Sequence, residues 1–155
     1  MARHRILGSR AAFGSLALGG LLSACSSLSP SEPVLPAGAT EIPVPAAYAE
    51  WHAKTEACSG LQGDFSTIKF YVVPGVETFP TRDGAKVGEW TSDGVTNRII
   101  IAGNYRDFEM VVRHELLHSL LRKEGHPTEF FVTRCHLTWD SWYGPQGGAP
   151  PQPGV

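Results

Sequence analysis

At 155 residues the chain is long enough for one ordinary domain and too short for two. Its 13 Lys and Arg against 15 Asp and Glu give a formal charge of −2, and no basic patch stands out that would track a phosphate backbone. Nucleic acid is therefore not an expected partner.

Residues 1–24 start with Arg3, Arg5 and Arg10, run through an Ala-, Leu- and Gly-rich stretch from Ala11 to Leu22, and end in small residues before Cys25. This is the layout of a secretory signal peptide. The apolar stretch is far short of the roughly 20 residues that cross a bilayer. Leu22-Ser23-Ala24-Cys25 resembles the bacterial lipobox, in which small residues suit a narrow peptidase site and the cysteine thiol is acylated. The resemblance implies cleavage before Cys25 and palmitate-type acyl chains on it, at about 0.8 kcal/mol per buried methylene. The mature chain would then be held on a membrane of the bacterial cell envelope, inner or outer, facing outside the cytoplasm. The alternative is a plain secreted protein with an incidental cysteine. Loss of three arginines with the signal moves the formal charge from −2 to −5.

Export also bears on Cys58 and Cys135, the two cysteines left. An oxidising compartment favours a disulfide between them; metal ligation is the rival, but no C-x-x-C spacing supports it. Residues 25–45, rich in Ser, Pro and small residues, read as a disordered tether. Residues 144–155 have the same character, which leaves a folded domain at 46–143.

Within that domain Pro45 begins a helix that ends at Gly60, with Tyr48, Trp51 and Thr55 at helical spacing. His52 on that helix reads as a surface residue. "STIKFYVVPG" is a β-branched and aromatic strand closed by Pro74-Gly75, and Asp83-Gly84 and Asp93-Gly94 mark turns after it. "TNRIIIAG" is a second strand, buried enough to lose its alternation. Asn104 and Asp107 form a capping pair for a helix from Tyr105 to about Glu124, stopped by Gly125. Pro127 opens a further helix through Trp142. The expected fold class is α+β: a small single domain with a short sheet packed on the helix that carries His114, Glu115 and His118.

Those three residues spell H-E-x-x-H. On a helix, His114 and His118 are about 400° of rotation apart, so both imidazoles lie on one face and can meet one ion at roughly 2.0 to 2.1 Å. Glu115 lies about 100° around from His114 and flanks that ion, placed to act as base toward a zinc-activated water. Polar groups on a largely apolar helix need such a reason, because burying them unsatisfied is costly. The bland alternative is an exposed polar stripe or a hydrogen-bonded core pair.

Over residues 96–126 the chain resembles the zincin superfamily of metallopeptidases, which is named for this motif and in which a strand precedes the active-site helix. The remainder is similar to small bacterial lipoproteins bearing the same motif. The resemblance implies a zincin-like fold, Zn(2+) as cofactor, and a peptide or protein substrate lying extended along a sheet edge, here taken as "TNRIIIAG". The long metzincin pattern would need Gly at 121 and His at 124, where this chain has Leu121 and Glu124. The third metal ligand therefore stays open. His126 follows the helix-ending Gly125, as in the small lipoproteins, yet lies roughly 12 Å of helical rise beyond His118 unless the chain turns back. His136 falls near the level of the motif in a simple hairpin count, and Glu129 about 9 Å off that level.

Tyr105 and Tyr143 are candidate oxyanion donors but more typical packing residues, the four tryptophans read as core, and Arg113 either faces solvent or pairs with Glu109. The expected function is a lipid-anchored zinc metallopeptidase (hydrolase) with Glu115 as general base. The alternative is a non-catalytic zinc-binding or envelope assembly lipoprotein on the same scaffold, with a closed site that draws on both His126 and His136.

Overall fold

The computed structural model describes residues 34–143. In chain order these form β1 (Thr40–Glu41), α1 (Ala46–Ser59), β2 (Ile68–Val73), β3 (Phe79–Thr81), β4 (Gly84–Lys86), β5 (Gly88–Ser92), β6 (Asn97–Ala102), α2 (Glu109–Leu121), a π-helical turn (Glu129–Arg134) and α3 (Trp139–Tyr143). The domain is α+β, as expected. Its main sheet has the order β1-β2-β6-β5 and is mixed: β2 and β6 run parallel, while β1 and β5 are antiparallel to their neighbours. β3 and β4 form a separate hairpin.

β6 is buried at every residue because both of its faces are covered. Ile99 and Ile101 pack with Met110, Val112 and Leu116 of α2. Ile100 and Ala102 meet Tyr71, Val73 and Phe79 on the opposite face. β6 is therefore an interior strand, and the expectation that it forms the sheet edge is corrected: the edge nearest α2 is β5. The turn-rich middle segment concealed β5, a five-residue strand with one glycine and no clear period.

The ordered domain also begins before residue 46. Thr40 and Glu41 pair with Val72 and Tyr71, the Ile42 N–H donates to the Phe70 carbonyl at 2.9 Å, and Leu35 and Ala39 pack on the second apolar cluster. The tether reading of 25–45 thus fails from residue 34 on, since a two-residue strand leaves no periodic signal among prolines and small residues. The expected signal peptide, Cys25, the first part of the tether and the 144–155 tail lie outside the described residues.

α1 follows the expected span and ends on Gly60 in the left-handed region. Its buried residues are Tyr48, His52, Thr55 and Ser59, so His52 is an interior residue, packed near Phe65. Arg113 of α2 is buried against α1: its Nε donates to Thr55 Oγ1 at 3.2 Å and its Nη1 meets Glu109 Oε1 at 3.1 Å. A disulfide joins Cys58 in the last turn of α1 to Cys135, with a Cα–Cα distance of 5.1 Å.

α2 is shorter than expected at both ends. A 3-10 turn at Gly103–Tyr105 precedes it, and its N-cap, Phe108, makes no side-chain cap bond. Asn104 and Asp107 therefore do not cap the helix. Tyr105 and Phe108 instead pack on Trp139, and that tertiary contact sets the start of α2. The helix stops at Leu121, where Arg122 turns left-handed at φ 54. The helix expected from Pro127 to Trp142 is also divided: His136 has φ 53, and α3 restarts behind Thr138, whose Oγ1 accepts from the Ser141 N–H at 3.2 Å.

The disulfide closes a loop of 77 residues in sequence separation, which in the chain-entropy model stabilises the fold by about 4 to 5 kcal/mol. Replacing both cysteines by serine is expected to lower the unfolding free energy by about 4 kcal/mol in denaturant titration. A loss below about 1 kcal/mol would contradict this role for the link.

Candidate metal centre

The early end of α2 is what builds the site. Because Arg122 reverses the chain four residues after His118, His126 returns to the helix face that carries the motif. His114 Nε2 lies 2.8 Å from His126 Nε2 and 3.3 Å from His118 Nε2, and the His118–His126 pair is 3.2 Å apart. Imidazole nitrogens around one tetrahedral ion at roughly 2.0 to 2.1 Å stand about 3.3 Å from one another. The three rings are therefore close enough to share a metal.

Their tautomers strengthen this point. His114 Nδ1 is 2.7 Å from the Leu137 carbonyl and His118 Nδ1 is 3.1 Å from that of Lys123. A carbonyl oxygen only accepts, so both Nδ1 atoms carry the proton and both Nε2 atoms present lone pairs. Two lone pairs 3.3 Å apart repel; an Nε2–H of His126 relieves that repulsion by hydrogen bonding, and a cation between them turns it into ligation. Backbone carbonyls that hold the outer ring nitrogen are the usual way a metal-binding histidine is oriented. Beneath the rings, fully buried Phe131 has its centroid 4.8 Å from each of the three.

Of the candidates for third ligand, the structure brings His126 to the pair. His136 is exposed and outside the cluster, and exposed Glu129 faces Arg134 at 3.8 Å. The hairpin count placed residues near 135 level with the motif. What arrives there is the Leu137 carbonyl rather than the His136 ring, because the left-handed kink at His136 turns its side chain away.

Glu115 is 5 % exposed and lies against β5, where the Trp90 N–H is placed to donate to its carboxylate. Burial pushes its carboxyl up to about 8, only partly offset by that hydrogen bond and by the charge of Lys86. Burial likewise pushes His114 and His118 down to about 4, against their hydrogen bonds to carbonyls. His126 is also lowered, by burial and then by Lys86. Neutral imidazoles at neutral pH are the state that binds metals.

A cleft of about 480 Å³ opens over the three histidines and Glu115. One wall is β5 and the end of β4, including Lys86 and Gly88; the other includes Met110, Val111 and Trp139. Lys86 is held by Glu89 at 3.1 Å. Sequence reasoning missed Lys86 and Gly88, which sit in a segment with no motif, and assigned Trp139 to the core although it is 37 % exposed. Neither Tyr105 nor Tyr143 lines the cleft. Compared with protein-family models, curated proteins and solved structures, the chain matches none.

Two predictions follow from the geometry. In calorimetric titration with zinc, His126→Ala is expected to weaken binding by at least about 100-fold and His136→Ala by less than about threefold; equal effects would contradict the ligand assignment. The second concerns pH in the metal-free protein. The histidines, depressed to about 4, favour the folded state above their unfolded value of 6.5 and withdraw that stability as pH falls toward 4. Glu115, raised from 4.5 to about 8, acts in the opposite sense: its contribution is complete below 4.5 and is lost as pH rises to 8. Between pH 6.5 and 8 the Glu115 loss outweighs what is left of the histidine gain among these three, so stability should fall by about 1 kcal/mol. Glu115→Gln should flatten that slope in denaturant titrations with a chelator present; an unchanged slope would refute the assignment.

Proposed function

We propose that this chain is a zinc-dependent peptidase with a zincin-like fold, held by a lipid on Cys25 at the outer side of a bacterial membrane. The observation that carries the reading is the convergence of three imidazole Nε2 atoms beside a buried glutamate on the wall of an open cleft. In this reading His114, His118 and His126 hold the metal. Zinc held by these residues would supply Lewis acidity, lowering the pKa of a water toward 7 and polarising a carbonyl. Glu115 takes the proton at its carboxylate and later returns it to the leaving amine.

An extended peptide fits along β5, the free edge of the main sheet, where main-chain hydrogen bonds give affinity with little demand on sequence. The non-catalytic alternative in its closed form needs a fourth protein ligand, and His136 lies too far from the cluster to supply it.

The test is hydrolysis of a fluorescence-quenched peptide library by the zinc-loaded chain. Glu115→Gln is expected to lower the rate at least about 1,000-fold while one zinc per chain is retained. Cleavage at the wild-type rate by this variant, or no cleavage by the zinc-loaded wild type, would overturn the reading.

A further inference from the structure

β5 bounds the cleft on the side of Glu115, and its backbone orientation is fixed by β6. The Val87 carbonyl accepts from the Ala102 N–H at 2.8 Å. By the alternation of an antiparallel pair, Glu89 and Thr91 turn their backbone groups toward β6, and Gly88 and Trp90 turn theirs toward the open edge. The Trp90 N–H is thus free of the sheet and available to the Glu115 carboxylate.

Gly88 and Trp90 also share a face of the strand, the one directed at α2. A β-carbon on Gly88 would stand 2.7 Å from Glu115 Oε1, 2.9 Å from Cγ and 3.1 Å from Cδ. The glycine is not required by the backbone, which is ordinary strand here and not left-handed. It is required by space. Glu115 is nearly enclosed, so a methyl group at Gly88 must displace the carboxylate or lift β5 from α2. The histidines are held from elsewhere, by the Leu137 and Lys123 carbonyls and by Phe131.

We propose that Gly88 is a positioning residue for Glu115: its missing side chain lets β5 close onto the carboxylate, and the Trp90 N–H then fixes the orientation of that carboxylate beside the three histidines. The catalytic meaning of this seat rests on the peptidase reading; the seat itself does not.

The experiment compares full-length wild type and Gly88→Ala, both zinc-loaded. Zinc affinity should stay within about threefold, since the ligands and their carbonyl partners are untouched. For peptide hydrolysis kcat should fall about 100-fold with KM within about threefold, the signature of a misplaced base rather than of lost substrate binding. Independently of activity, hydrogen exchange at the Trp90 amide should accelerate at least about tenfold in Gly88→Ala, and likewise in Glu115→Ala. If Gly88→Ala does not fold, adding Glu115→Ala removes the collision and should restore a folded chain that binds zinc. The proposal is overturned if the Trp90 amide stays as protected in Gly88→Ala as in wild type, if zinc binding falls together with the rate, or if the double variant also fails to fold. Should wild type cleave no peptide, the peptidase reading fails, and the exchange measurement still decides whether Gly88 seats Glu115.

Discussion

Two backbone carbonyls determine the chemistry of this molecule. By accepting from His114 Nδ1 and His118 Nδ1, Leu137 and Lys123 oblige both Nε2 atoms to face each other as lone pairs across 3.3 Å. Either an Nε2–H of His126 or a shared cation offsets the repulsion between those lone pairs, and the same convergence suits a metal ion. Much of the domain serves to deliver those carbonyls. The stop of α2 at Leu121 presents Lys123, and the kink at His136 presents Leu137. The disulfide at Cys135, two residues before Leu137, anchors that segment to α1. Phe131 fills the floor beneath the rings, so the histidines have no apolar void into which to collapse.

Opposite this scaffold stands the sheet. The parallel pair β2–β6 is covered on both faces, and β6 carries β5 as an antiparallel edge over α2. Histidines and glutamate are therefore held by different parts of the fold: the ligands by the chain that follows α2, and Glu115 by β5. The histidine cluster and the seat of Glu115 are thus built separately, and a change in one wall of the cleft need not reach the other.

What was legible in the sequence is what depends on local pattern. α1, β2, β6 and the helix under H-E-x-x-H follow from periodicity and from turn residues, and the Cys58–Cys135 pair follows from there being only two cysteines after a signal-like segment. β5 was hidden because a short edge strand with a glycine has neither run nor alternation. The ends of α2 were misread because Arg122 turns left-handed without a glycine, against its own preference, while Gly125 farther on offered the more familiar stop signal. That error also made His126 look distant: with the helix ending three residues earlier, the chain has room to fold back. His52 and Arg113 illustrate the same limit. Each is a polar residue buried by a neighbour distant in its own helix pattern, His52 beside Phe65 and Arg113 against α1, and a single helix pattern does not reveal which of its faces will be covered.

An open site of three imidazoles has a direct signature in X-ray absorption at the zinc edge of the loaded protein. Three imidazole nitrogens and one oxygen donor at roughly 2.0 to 2.1 Å are expected. A shell with four imidazoles, or with sulfur at about 2.3 Å, would contradict the account.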